Sequence, residues 1–129
     1  MKPPVTDHLS QDCRAVSEIL ARVGDKWSVL IIMRLSDGPK RFSRLQQMIG
    51  NISHKMLSTT LRGLERDGLV TRTVHPTVPP QVEYSLTELG HDLTVPVNAL
   101  GEWALRNQDK IRAARAQFDA RQEFEVKAS

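Results

Sequence analysis

The stretch from Phe42 to Gly68 admits few folds, because its hydrophobic spacing and its punctuation call for two short helices joined by a tight turn. Phe42 to Ile49 carries Leu45, Met48 and Ile49 at helical spacing, facing inward. Gly50-Asn51-Ile52 then leaves a turn of about three residues, the length that joins the two helices of a helix-turn-helix. Ser53 supplies an N-cap hydroxyl, the following helix runs on to Asp67, and Gly68 closes it in the left-handed conformation that glycine tolerates best. At about 100° per residue, Leu57, Leu61 and Leu64 fall within roughly 60° of one another and mark a buried face. Lys55, Thr59, Arg62 and Arg66 fall on the opposite side.

The flanking segments read as further helices and one hairpin. Residues 1–10 hold two prolines and no periodicity and read as a flexible arm, with the first helix beginning just after Cys13. Val16, Ile19, Leu20 and Val23 give that helix an apolar face, and Gly24 ends it. Trp27, Leu30, Ile31 and Leu35 repeat the pattern before the turn chemistry of Asp37-Gly38-Pro39. Leu69 to Val74 and Gln81 to Leu86 read as two strands around the loop from His75 to Pro80. In the second strand Val82, Tyr84 and Leu86 alternate with Gln81, Glu83 and Ser85. Thr87 caps a long helix with a stripe of Leu93, Val97, Leu100 and Ala104, which Pro96 should bend or break. Helix-forming composition continues from Asp109 to about Glu123.

The expected fold is mainly α with a two-stranded β-hairpin wing, a winged helix-turn-helix with flanking dimerisation helices. It spans residues 1–129 as a single domain: an arm at 1–10, the helix-turn-helix at 42–67, the wing at 69–86 and C-terminal dimerisation helices at 87–123. A winged-helix core needs no long terminal helix, so the apolar stripe that ends in Trp103 calls for a partner subunit or for a fold-back within the chain.

Charge concentrates where that architecture would meet a polyanion. The chain of 129 residues carries only +3 overall, yet from Arg34 to Arg72 there are eight basic residues against three acidic ones. A helix presenting cations and hydroxyls can donate to guanine edges and to phosphates. Recognition helices present their N-terminal residues to the bases, which singles out His54, Lys55, Ser58 and Thr59, with the N-cap Ser53 also counted among the DNA-binding candidates. Arg62 and Arg66 then grip phosphate, with Lys40, Arg41 and Arg44 near the start of the preceding helix. In the wing, His75 and Thr77 are the candidates, and the wing adds little electrostatically. The competing reading, a winged helix used as a protein-protein module, would call for a polar or acidic outer face, and Lys55, Arg62 and Arg66 oppose it.

Other classes lack their residues. The longest apolar run is Val29 to Met33, and no apolar signal core stands at the N-terminus, so a cytoplasmic protein with no membrane partner is expected. There is no Gly-x-Ser-x-Gly, no phosphate-cradling glycine loop and no placed pair of carboxylates, so no enzyme and no cofactor are expected. His8, His54, His75 and His91 lack ligand spacing, so no metal site is expected. A single cysteine excludes an intramolecular disulfide.

Several segments together resemble the HxlR family of bacterial transcriptional regulators. They are Asp25-Lys26-Trp27, Gly38-Pro39-Lys40-Arg41-Phe42, the run from Ile52 to Ser58, the run from Leu61 to Arg72, and the run from Pro79 to Thr87. The likeness covers roughly Cys13 to Trp103. Asp25 departs from it, standing where the family usually has glycine. The resemblance implies a homodimeric winged-helix protein, related in architecture to MarR regulators, that binds double-stranded operator DNA and by default represses. It also implies an interface between first and last helices, here Val16, Ile19 and Leu20 with Leu93, Val97, Leu100 and Trp103.

Family members commonly carry a cysteine at the position of Cys13, and some of them resemble redox sensors. Arg14 and a helix N-terminus would favour its thiolate, while Asp12 opposes it. Three readings stay open: a packing cysteine, a sensor of oxidants or electrophiles, and a bystander to a non-covalent small-molecule effector. With one thiol per chain, oxidation yields a sulfenic acid, a mixed disulfide or a bridge between subunits.

Overall fold

The structure, a computed structural model, describes residues 3–128. Its elements are α1 (Pro3–Val23), α2 (Lys26–Leu35), β1 (Lys40–Arg41), α3 (Phe42–Ile49), α4 (His54–Arg66), β2 (Val70–His75), β3 (Gln81–Leu86), α5 (Glu88–Arg106) and α6 (Gln108–Ala128). The chain divides into two compact units, one reaching to Thr94 and one starting at Val95.

The first unit is the winged helix-turn-helix. Its core gathers Ile31, Ile32 and Leu35 of α2, Leu45 of α3, Leu57, Leu61 and Leu64 of α4, and Val70, Tyr84 and Leu86 of the sheet. Each fully buried leucine or isoleucine contributes about 1.5–3 kcal/mol of transfer free energy, so these few side chains hold the unit together. Asp25, the residue that departs from the family pattern, caps α2: its Oδ2 accepts from the Ser28 amide at 3.2 Å. The buried face of α2 centres on Ser28, Ile31, Ile32 and Leu35, leaving Trp27 and Leu30 half-buried.

The sheet has three strands rather than two, in the order β1-β3-β2, all antiparallel. Lys40 and Arg41 are therefore strand residues, paired with Tyr84 and Glu83. A two-residue strand is too short to show alternation in sequence, and it exists because β3 offers a free edge. At the base of the wing, Thr87 Oγ1 donates to the Gly68 carbonyl at 2.6 Å and accepts from the Gly90 amide at 3.1 Å. That hydroxyl joins the end of α4 to the start of α5. Gly90 is required there, because a Cβ would collide with the Leu69 carbonyl and press on Leu86.

Further sequence expectations are corrected. Residues 3–10 are helical, not a flexible arm, while Met1 and Lys2 lie outside the described residues. Pro3 and Pro4 occupy the first helical turn, where a missing N–H costs nothing and a fixed φ fits. Cys13, expected just before the first helix, consequently lies in the interior of α1, far from its N-terminus. Of the bend or break expected at Pro96, the break does not occur, because α5 runs through Pro96 as one helix.

The second unit comprises the rest of α5 and α6. Leu100 and Trp103 on α5 are exposed, as are Phe118 and Phe124 on α6, and α6 has no buried residue. Asn107 separates the two helices: its amide Nδ2 donates back to the Trp103 carbonyl at 2.9 Å, and its carbonyl accepts from the Ile111 amide at 3.0 Å.

Candidate nucleic-acid interface

α4 is placed by both of its ends and by its buried face. Gly50, at φ 88°, turns the chain after α3, and buried Ile52 anchors the turn. Ser53 Oγ accepts from the Met56 amide at 3.0 Å, which satisfies one of the helix's orphan donors. At the other end Gly68, at φ 77°, closes a Schellman motif: its amide donates to the Glu65 carbonyl at 3.0 Å, and the Leu69 amide donates to the Leu64 carbonyl at 2.9 Å. Between the caps Leu57, Leu61 and Leu64 are sealed in the core, and Thr60 returns its hydroxyl to the Met56 carbonyl at 2.7 Å.

With that face fixed inward, Lys55, Thr59, Arg62 and Arg66 are exposed on the other side. None of the three cations forms an ion pair with a described residue. The stripe therefore presents three cations and a hydroxyl to solvent from a helix held on its opposite face. Arg44 is exposed on α3 and Arg41 on β1, where it occupies the N-cap position of α3 without capping it.

The remaining sequence candidates divide into two groups. His54 and Ser58 sit on the wing-side flank of α4. The His54 ring packs on Phe42 at 4.6 Å between centroids, and Ser58 is half-buried. Four others already hold partners within the chain. Ser53 caps α4. Lys40 Nζ donates to Asp37 Oδ1 at 2.7 Å and to the Gly38 carbonyl at 3.2 Å. The Lys40 hydrogen bond and charge hold the Asp37 carboxyl below the usual aspartate range. His75 Nε2 lies 3.4 Å from Glu83 Oε1, and Thr77 donates to the Pro79 carbonyl at 2.8 Å.

Sequence reasoning missed Arg72, Gln81 and Ser43. Together with Arg41, His54 and Ser58 they line a cleft of about 460 Å3 between α4, the start of α3 and the strands of the wing. The usable signal was the strand register, since Arg72 stands opposite Tyr84 and so shares its core-side face.

Of the residues assigned to an interface between subunits, Val16, Ile19 and Leu20 are exposed on α1, and Cys13 is exposed beside them on the same helix. Leu93 already packs on the core of its own unit, and Val97 is half-buried. No described helix is long and apolar enough to cross a membrane.

Known proteins are similar to this chain in sequence and in fold. Residues 22–112 match the model of the HxlR-like helix-turn-helix family. The HTH-type transcriptional regulator YtfH of Escherichia coli (strain K12) is 45% identical over 98 residues, which span 76% of this chain and 78% of that protein. The structure of the transcriptional regulator YtfH from Salmonella typhimurium superposes with a TM-score of 0.72 at 44% identity, covering 78% of this chain and 89% of that one. The redox regulator HypR in its reduced form gives a TM-score of 0.72 at 39% identity, covering 77% and 98%. The chain belongs to the HxlR-like helix-turn-helix family of transcriptional regulators.

Proposed function

We propose that the protein is a homodimeric, sequence-specific DNA-binding repressor that lays α4 in the major groove of its operator. The observation that carries this reading is the division of α4 into a sealed leucine face and an exposed stripe of Lys55, Thr59, Arg62 and Arg66. Lys55 and Thr59, in the first half of the helix, meet base edges, while Arg62, Arg66 and the nearby Arg41 and Arg44 meet phosphates. A second subunit is supported by the exposed apolar side chains Val16, Ile19 and Leu20 on α1 and Leu100 and Trp103 on α5. Two subunits would engage two half-sites about one helical turn or a multiple apart.

Selection of duplexes from a random-sequence pool, followed by footprinting, tests this reading. A recovered site with two related halves supports it. Recovery of no preferred sequence by a folded protein removes it.

We also propose that oxidants or electrophiles act on DNA binding through Cys13. Its exposure on α1, next to the apolar residues assigned to the subunit seam, and the likeness to the redox regulator HypR support this reading. Diamide should change operator affinity in the parent, and Cys13→Ser should bind normally without responding. Unchanged binding after complete thiol modification would leave a non-covalent ligand as the effector.

A further inference from the structure

Building on the DNA-binding reading above, we propose that the cleft between α4, the start of α3 and the wing strands seats one backbone phosphate of the bound DNA, with Arg41 and Arg72, which both line it, supplying the charge. The polar lining is Arg41, Ser43, His54, Ser58, Arg72 and Gln81, with no carboxylate among the lining residues. Two guanidiniums bring planar donor forks suited to bidentate contact with phosphate oxygens, and the serines and the glutamine add neutral donors.

The cleft is built in advance of any ligand. Its floor is aromatic: the Phe42 ring lies 6.5 Å from Tyr84 and 4.6 Å from His54, which links the wing to the first turn of α4. Arg72 stands opposite Tyr84 in the register, near the middle of β2 rather than at the wing tip, and is exposed. It forms no ion pair with a described residue. Glu83 lies across from Arg41 in the sheet, yet its carboxylate is directed to His75 at 3.4 Å and does not line the cleft.

Position decides the ligand class. A strand whose bases face Lys55 and Thr59 carries its backbone along the flank of α4, and His54 and Ser58 occupy that flank on the wing side. A phosphate fixed there sets how far the helix advances along the groove, so the contact determines register without reading sequence. The wing thus acts through Arg72 and Gln81 of its strands, whereas Thr77 in its loop is turned onto that loop.

The test uses the full chain and a duplex selected from a random pool, with single phosphates replaced in turn by neutral methylphosphonates. The parent should lose about tenfold in affinity at one phosphate per half-site, the usual scale of a charge-assisted hydrogen bond. Arg72→Ala should lose a similar amount on the unmodified duplex and be indifferent to that one methylphosphonate. Its preference for selected over scrambled DNA should be unchanged, and its salt slope should be shallower by about 0.9 for each cleft. Arg41→Ala should lose sensitivity at the same phosphate, which covers the case in which Arg72→Ala does not fold. If Arg72→Ala and Arg41→Ala keep the parent's affinity and methylphosphonate pattern while Lys55→Ala weakens binding, the phosphate seat is wrong and the α4 reading stands. If the folded parent binds no duplex, both fall.

Discussion

Arg22, in the last turn of α1, lies across Gly63 of α4 and donates its Nε to Asp67 Oδ2 at 2.9 Å, tying the first helix to the C-cap of α4. Both side chains are about one-third exposed (35% and 37%), so solvent screening keeps the pair to about 0.2–1 kcal/mol. An alanine at 63 would gain about 1 kcal/mol of helix propensity but would displace the guanidinium. Gly63→Ala should therefore be nearly neutral in the parent and stabilise an Arg22→Ala background by about 1 kcal/mol. Urea unfolding of the four proteins at one concentration reads this coupling, and equal effects in both backgrounds would rule it out.

Gly90 should behave in the opposite way. Its obstacle is the Leu69 backbone carbonyl, which cannot swing aside as an arginine can. Gly90→Ala should destabilise by about 1–3 kcal/mol, as overpacking does, although it adds a better helix former. A thermal midpoint at or above the parent's would contradict the close approach.

Ser53→Ala removes the hydroxyl that accepts from the Met56 amide. The expected cost is about 1 kcal/mol of stability, with faster hydrogen exchange at Met56. Unchanged exchange at that amide would show that the cap contributes nothing.

The two-helix motif and the wing were legible because their signals are local. Ser53 and Gly68 punctuate α4, its leucines repeat at helical spacing, and Val82, Tyr84 and Leu86 alternate. What escaped depends on contacts between distant segments. β1 exists only where Lys40 and Arg41 meet β3. The place of Arg72 beside the cleft follows from its register with Tyr84, and the engagement of His75, Thr77 and Lys40 follows from neighbours that spacing does not reveal. Residues 3–10 were misread because two prolines look like a helix breaker, although the first helical turn accepts them.

Acid should loosen the corner before β1. Lys40 depresses the Asp37 carboxyl below its ordinary value. For an acid depressed in the folded state, the stabilisation is present above the ordinary aspartate range and is lost as pH falls through the lower, folded-state value. An NMR titration should place the Asp37 midpoint below the ordinary range in the parent and within it in Lys40→Ala. Identical midpoints would sink the pairing.

The exposed stripe of α4 is tested most directly by measuring affinity against salt concentration, on a selected duplex and on a scrambled one, for the parent and for Lys55→Ala, Thr59→Ala and Arg66→Ala. Parent binding should weaken steeply with salt as counterions are released. Lys55→Ala and Thr59→Ala should each lose about 1–3 kcal/mol of preference for the selected sequence. Arg66→Ala should weaken binding to both duplexes equally and flatten the salt slope. If all three variants fold and bind both duplexes as the parent does, α4 is not the surface that reads DNA.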